Sequence, residues 1–178
     1  MIKKNRATKL NLHPSVERVG EVNSILTTPG EAVLVDRGYI RSIVFVCPDG
    51  CGELLTINLD PRAGKAWRLY HNNHGITLFP SVWRDNGCKS HFVVWRDSIF
   101  WFGHGDDSNQ SKMYETNIDL ERKITEKLSI KLRSYLDIAD EINEIPWDVL
   151  YSCINLVNKN KALRGLGKER DSFKLYNY

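Results

Sequence analysis

The sequence predicts an α+β fold, and three observations carry that prediction. From Gly20 to about Phe102 the chain consists of short β-branched and aromatic runs separated by turn residues. Past Lys112 the apolar residues change to three- and four-residue steps, the period of a helix. The tail "KALRGLGKERDSFKLY" (161–176) then returns to two strand-like runs around a glycine-bearing loop.

Taken in order, residues 1–19 are polar, basic and without apolar pattern, and read as a flexible arm. "EAVLVD" (31–36) and "IRSIVFVC" (40–47) are β-branched runs divided by Arg37–Gly38, and "ELLTINLD" (53–60) alternates until Asp60–Pro61 stops it. "AWRLYH" and "GITLF" flank the turn "NNH", and "HFVVW" and "SIFWF" flank Arg96–Asp97, which makes two hairpins. "GHGDDSNQSK" (103–112) is a polar linker, so the β-rich domain is placed at 20–106 and the helical one at 113–178.

In the helical part, Leu120, Ile124, Leu128, Leu132, Leu136, Ile138, Ala139 and Ile142 fall mostly at such steps and predict one long helix, or two with a break near Ser134. Pro146 suits the first position of a further helix, where a missing N–H costs nothing. Trp147, Leu150, Tyr151, Ile154 and Val157 form its apolar stripe. Helix, turn, helix and hairpin in that order give a winged-helix outline.

A net charge of +3 over 178 residues is too slight to argue for nucleic acid by itself and leaves room only for a local basic patch. No apolar run approaches the roughly 20 residues that span a bilayer. No secretory signal is expected at the start, so the expectation is a cytoplasmic protein without a membrane role. In that compartment Cys47, Cys51 and Cys88 point to metal rather than to disulfides.

"CPDGCG" sets Cys47 and Cys51 around a turn containing Gly50, and "CKSH" sets Cys88 and His91 around another. Two such turns at strand ends make soft ligands converge, as a zinc knuckle requires, although the first spacer is one residue longer than the common two. The other explanation of these cysteines is three thiols buried in a β core. His91 has a second use. Ser81 follows Pro80, with a short helix expected from Ser81 toward Asp85, so free N–H groups could serve an oxyanion there. Ser81 is then either a helix cap or a nucleophile with His91 as its base. His104, Asp106 and Asp107 follow the last strand, from where an acid could orient His91.

Between 159 and 174 the tail carries Lys159, Lys161, Arg164, Lys168, Arg170 and Lys174 against Glu169 and Asp171, which suits phosphates. The preceding helix opens with Asp148, which does not, and winged helices also dock proteins.

The motifs "FVCPDGCGELLTINLDPRAGKAWRLY", "TLFPSVWRDNGCKSHFVVWRDSIFWF" and "IADEINEIPWDVL" resemble a bacterial family first catalogued as a domain of unknown function. Its members occur in phages and beside genes for multi-ubiquitin-like proteins and their E1- and E2-like enzymes. The resemblance implies a zinc-bearing peptidase or deconjugating enzyme, of papain- or transglutaminase-like arrangement with serine in place of cysteine. It implies a role in ubiquitination-like, phage-defence settings. Carried onto this chain, it makes Ser81 the nucleophile, His91 the base and Asp106 the acid, with His104 the rival. Structural Zn2+ keeps Cys47, Cys51 and Cys88, its fourth ligand open. The implied partners are a ubiquitin-like protein, its conjugates and its E1- or E2-like enzymes, with DNA a weaker expectation. The competing account is a non-catalytic zinc ribbon with a winged helix, in which His91 completes the zinc site and the protein binds DNA or a partner.

Overall fold

The structure, a computed structural model, describes residues 6–102 and 117–176. The chain divides into two compact units, Met1–Asp106 and Asp107–Tyr178. The α+β expectation is met as several small sheets in the first unit, and helices with one small sheet in the second. Among the described residues no helix is long and apolar enough to cross a membrane.

The first sheet has the order β1-β2-β3-β4, formed by Asn11–Leu12, Glu31–Asp36, Ile40–Val46 and Leu54–Asn58. β1 lies parallel to β2, and the other pairs are antiparallel. The unbroken apolar runs of β2 and β3 have a physical reason: both faces of these strands are buried. Ala32 and Leu34 pair with Phe45 and Ile43 on one face, and Val33 pairs with Val44 on the other. The second face is closed by Val16, by Leu26 and by Val22 from a 3-10 turn at Val19–Ser24.

The first face packs against a second layer of strands. These are β5 (Arg68–Asn72), β6 (Gly75–Phe79), β7 (Val82–Trp83), β8 (His91–Trp95) and β9 (Ser98–Trp101). Ile76, Leu78, Val82, Phe92, Val94 and Ile99 meet Ile43, Phe45 and Ile57 in one core. Phe45 and Phe92, both fully buried, contact edge to face with centroids 6.0 Å apart.

Both predicted hairpins of this layer form. Arg96 and Asp97 take φ of 51° and 61°, the two left-handed residues that a tight antiparallel turn needs. Asp97 ties the turn to β6: its backbone N–H donates to the Ile76 carbonyl at 2.9 Å and its carboxylate accepts the Ile76 N–H at 2.7 Å. Gly75, at φ 104°, leaves room for that carboxylate, since a Cβ there would run into it.

The stretch expected to be a flexible arm is held from Arg6 onward. The Ala7 N–H donates to the Pro48 carbonyl, Ile99 donates to Thr8, Leu10 donates to Asp97, and Leu10 is buried. Lys9 bridges Ser98, and Arg6 pairs with Asp49 while lying over the Trp101 ring. Backbone pairing with a few scattered apolar residues, Ala7, Leu10, Leu12 and Val16, seats this segment, and neither has a periodic signature.

In the second unit, α1 (Ile118–Lys127) is capped by the Asn117 side chain, which accepts the Leu120 N–H. A two-residue strand β10 (Arg133–Ser134) separates it from α2 (Tyr135–Ile142), so the helical stretch is two helices. Ser134 caps α2, and Asn143 ends it in the left-handed region. α3 (Pro146–Asn158) begins at the proline, as expected. The tail hairpin is β11 (Ala162–Arg164) and β12 (Ser172–Leu175), and β12 sits between β10 and β11 in an antiparallel sheet.

The stripe expected for α3 is not its core face. Val149, Cys153 and Leu156 are buried, whereas Trp147, Leu150, Tyr151, Ile154 and Val157 are only half-buried. The helix is apolar on most of its circumference, so periodicity alone could not rank its faces.

Candidate functional site

Ser81 lies in the connection between β6 and β7, directly after a cis Phe79–Pro80 bond. The short helix expected from Ser81 toward Asp85 does not form, because Val82 and Trp83 instead pair with Phe92 and His91 as strand β7. A helix N-terminus therefore contributes nothing at Ser81. Its carbonyl accepts the Trp67 indole N–H at 3.3 Å. Trp67 also lines an open groove of about 600 Å³ with Ile40, Leu59, Leu69 and Tyr70.

Strand alternation sorts this ladder into two faces. Val82 and Phe92 turn into the core, and their neighbours Trp83 and His91 turn the other way. On that outer face the Ser81 hydroxyl lies 3.0 Å from His91 Nε2, a hydrogen bond. The imidazole stacks on Trp83, with centroids 5.7 Å apart, and on Phe102, with centroids 4.5 Å apart. Trp83 is 70% exposed, unusual for a tryptophan that merely packs. Burial lowers the His91 pKa from its ordinary value of 6.5, which favours the uncharged ring. No described residue hydrogen-bonds Nδ1 of His91, and Asp106, Asp107 and His104 lie outside the described residues.

On the opposite face, one residue along, the buried Ser90 turns toward the cysteines. Its hydroxyl lies 3.2 Å from Cys88 Sγ and 3.9 Å from Cys47 Sγ. Cys47 directly follows β3, Cys51 closes the Gly50 turn, and Cys88 belongs to the turn that leads into β8. Their three sulfurs lie within 4.8 Å of one another, and Cys47 and Cys88 are 3.6 Å apart. A tetrahedral zinc–thiolate site with bonds near 2.3 Å needs sulfurs roughly 3.7 Å apart, so the triangle fits a metal of that size. His91 does not belong to this group. Cys153 is buried in the second unit, where burial pushes its thiol up to about 12.

The thiols differ in character. Burial pushes Cys47 up to about 12. Burial acts upward on Cys88 too, but hydrogen bonds with Ser90 and with the other two thiols bring it down to about 7. A residue that sequence reasoning passed over completes the cluster. Arg84, three positions after Ser81, sends Nη1 to the three sulfurs and Nη2 to the Glu53 carboxylate. Alternation could have found it: with Val82 inward and Trp83 outward, Arg84 has to turn inward, and an inward arginine needs partners.

The ladder β7–β8 thus carries a serine–histidine pair on one face and a three-thiol cluster on the other. Comparison with known proteins bears on the unit that holds both. Neither the curated proteins nor the solved structures give a match. Residues 18–102, most of the first unit, match the model of the family described as bacterial ubiquitination-like system serine protease (BubE).

Proposed function

We propose that the first unit is a serine hydrolase that cleaves at the C-terminus of a bacterial ubiquitin-like protein, from a precursor or a conjugate. The observation that carries this reading is the 3.0 Å contact between Ser81 Oγ and His91 Nε2, within the stretch that matches a serine protease family model. In the proposed reaction Ser81 Oγ attacks the carbonyl carbon of the tail's last residue as its proton passes to Nε2. The tetrahedral adduct collapses, and His91 returns the proton to the departing amine or alcohol. Water, deprotonated by the same nitrogen, then attacks the acyl–Ser81 ester, and His91 passes that proton to the departing Ser81 Oγ as the carboxylate is freed. Backbone N–H groups near Ser81 serve the oxyanion. Asp106 is the proposed acid that orients His91, on the strength of the family resemblance.

Cys47, Cys51 and Cys88 are proposed to hold a structural Zn2+. When bound, the metal would supply cross-linking of the strand ends rather than an electrophile. Ser90 and His91 are adjacent in sequence, so a cluster that fixes Ser90 also fixes the start of β8, the strand that presents His91.

For the second unit, the element order and the β10-β12-β11 sheet support a winged-helix reading. We favour protein docking, to the ubiquitin-like protein or its E1- or E2-like enzymes, over DNA binding. Lys159 is committed to the buried Glu121 at 2.7 Å, and Arg164 lies 3.7 Å from Asp171, so two of the six basic residues have acidic partners. The half-buried side chains of α3 are mainly apolar and aromatic.

The test is hydrolysis of a fusion in which the ubiquitin-like protein precedes a reporter. Wild type should release the reporter and Ser81→Ala should fall to background. Turnover by Ser81→Ala within about tenfold of wild type would contradict the proposal, since loss of an activated nucleophile costs far more.

A further inference from the structure

We propose that Arg84 is a working part of the metal site, the fixed counter-charge that lets three thiolates hold a divalent ion. This rests on the metal-binding reading of Cys47, Cys51 and Cys88, and adds to it a residue that is not a ligand. Arg84 Nη1 lies 3.1 Å from Cys88 Sγ, 3.5 Å from Cys51 Sγ and 3.9 Å from Cys47 Sγ, so one N–H donor group caps the whole triangle. The side chain is only 11% exposed. Its other terminal nitrogen is held by Glu53, whose carboxylate is 53% exposed.

The arrangement is built into the local backbone. The Arg84 N–H donates to the Ser90 carbonyl at 2.9 Å, which fixes where the side chain departs from the ladder. Gly87, at φ 62°, leaves the space that the guanidinium uses. A Cβ there would lie 2.9 Å from Nη2 and 3.2 Å from the Glu53 carboxylate.

Charge explains why an arginine stands there. A divalent ion with three thiolates carries one net negative charge, which the guanidinium in contact with all three sulfurs offsets, while the Glu53 carboxylate on its outer side is exposed and screened by solvent. Its N–H groups also orient the sulfurs, as outer partners of metal ligands do. A guanidinium cannot itself ligate the metal, because it has no free lone pair. The cap therefore bonds to the sulfurs, and Arg84 changes affinity without changing ligand count.

The measurement is metal affinity of the full chain. Co2+ is titrated to reveal thiolate-to-metal absorption, and Zn2+ then displaces it. Wild type should bind one ion per chain. Arg84→Met should bind Zn2+ about 10- to 100-fold more weakly, the usual cost of losing an outer partner. Arg84→Lys should fall between them, keeping the charge but losing the planar fork. Equal or tighter binding by folded Arg84→Met would overturn the proposal, making the guanidinium a bystander or a competitor for the site. If Arg84→Met does not fold, Arg84→Gln decides: it keeps a donor for the sulfurs but loses the charge, so it should weaken binding several-fold, and unchanged affinity overturns the proposal. A wild-type chain that binds neither ion would remove the metal reading and this inference together, while leaving the Ser81–His91 reading standing.

Discussion

Replacing His91 with alanine separates the two jobs this histidine could do. His91 is proposed as a base on the outer face of the β7–β8 ladder, and the thiol cluster lies on the other face. Loss of a positioned base should cost about 10²- to 10⁴-fold in kcat/KM, equivalent to about 3–5 kcal/mol of transition-state stabilisation. Stability should change far less. The imidazole contributes two ring contacts, to Trp83 and Phe102, and one hydrogen bond, all at a partly exposed position. Aromatic contacts run at about 0.5–1.5 kcal/mol each, and exposure holds these near the low end, so about 1–2 kcal/mol in total is expected. Zinc content should stay at the wild-type value. Reporter release, melting temperature and metal analysis on one preparation read all three quantities. An His91→Ala protein that loses both its zinc and its fold would refute the reasoning and make His91 a ligand. One that keeps full activity would refute it from the other side.

Three further outcomes follow from the same geometry. The acid limb of kcat/KM should have its midpoint below 6.5, since the neutral imidazole is the active form and burial lowers the pH at which it protonates; a midpoint above about 7 would contradict the burial argument. Cys88→Ser, or a zinc chelator on wild type, should reverse the His91→Ala pattern, with metal lost first and activity lost through unfolding. A loss of about 2 kcal/mol at roughly 4–8 °C per kcal/mol would lower the melting temperature by roughly 8–16 °C. Gly75→Ala should destabilise the first unit by about 1–3 kcal/mol, because it forces a side chain into a left-handed position and into the Asp97 carboxylate. Chemical denaturation checks it, and a neutral result would show that the Asp97 contact is dispensable.

The parts of the molecule legible in the sequence are those with a local cause. β2 and β3 announce themselves by β-branched runs, α3 by its leading proline, and the cysteine triangle by turns at strand ends. The parts that were not legible depend on what the chain meets later. Pro80–Ser81 looks like the start of a helix, yet Val82 and Trp83 pair with β8, a partner that no local cue reveals. The Arg6–Leu10 segment has no pattern because its order comes from residues distant in sequence, such as Asp49, Asp97 and Ile99. Arg84 looks like one more surface cation until strand alternation aims it at the thiols. Around Ser81 and His91, spacing alone left the histidine between two roles. Only the pairing register of β7 with β8 puts Ser81 and the cysteines on different faces of the ladder.

The central claim is that Ser81 is a nucleophile activated by His91. Its most direct test is intact-mass analysis after treatment with a fluorophosphonate, which forms a stable adduct only with an activated serine. The predicted result is one adduct per chain, mapped to Ser81, absent in Ser81→Ala and formed at least about 100-fold more slowly in His91→Ala. Equal labelling of wild type and Ser81→Ala would contradict it.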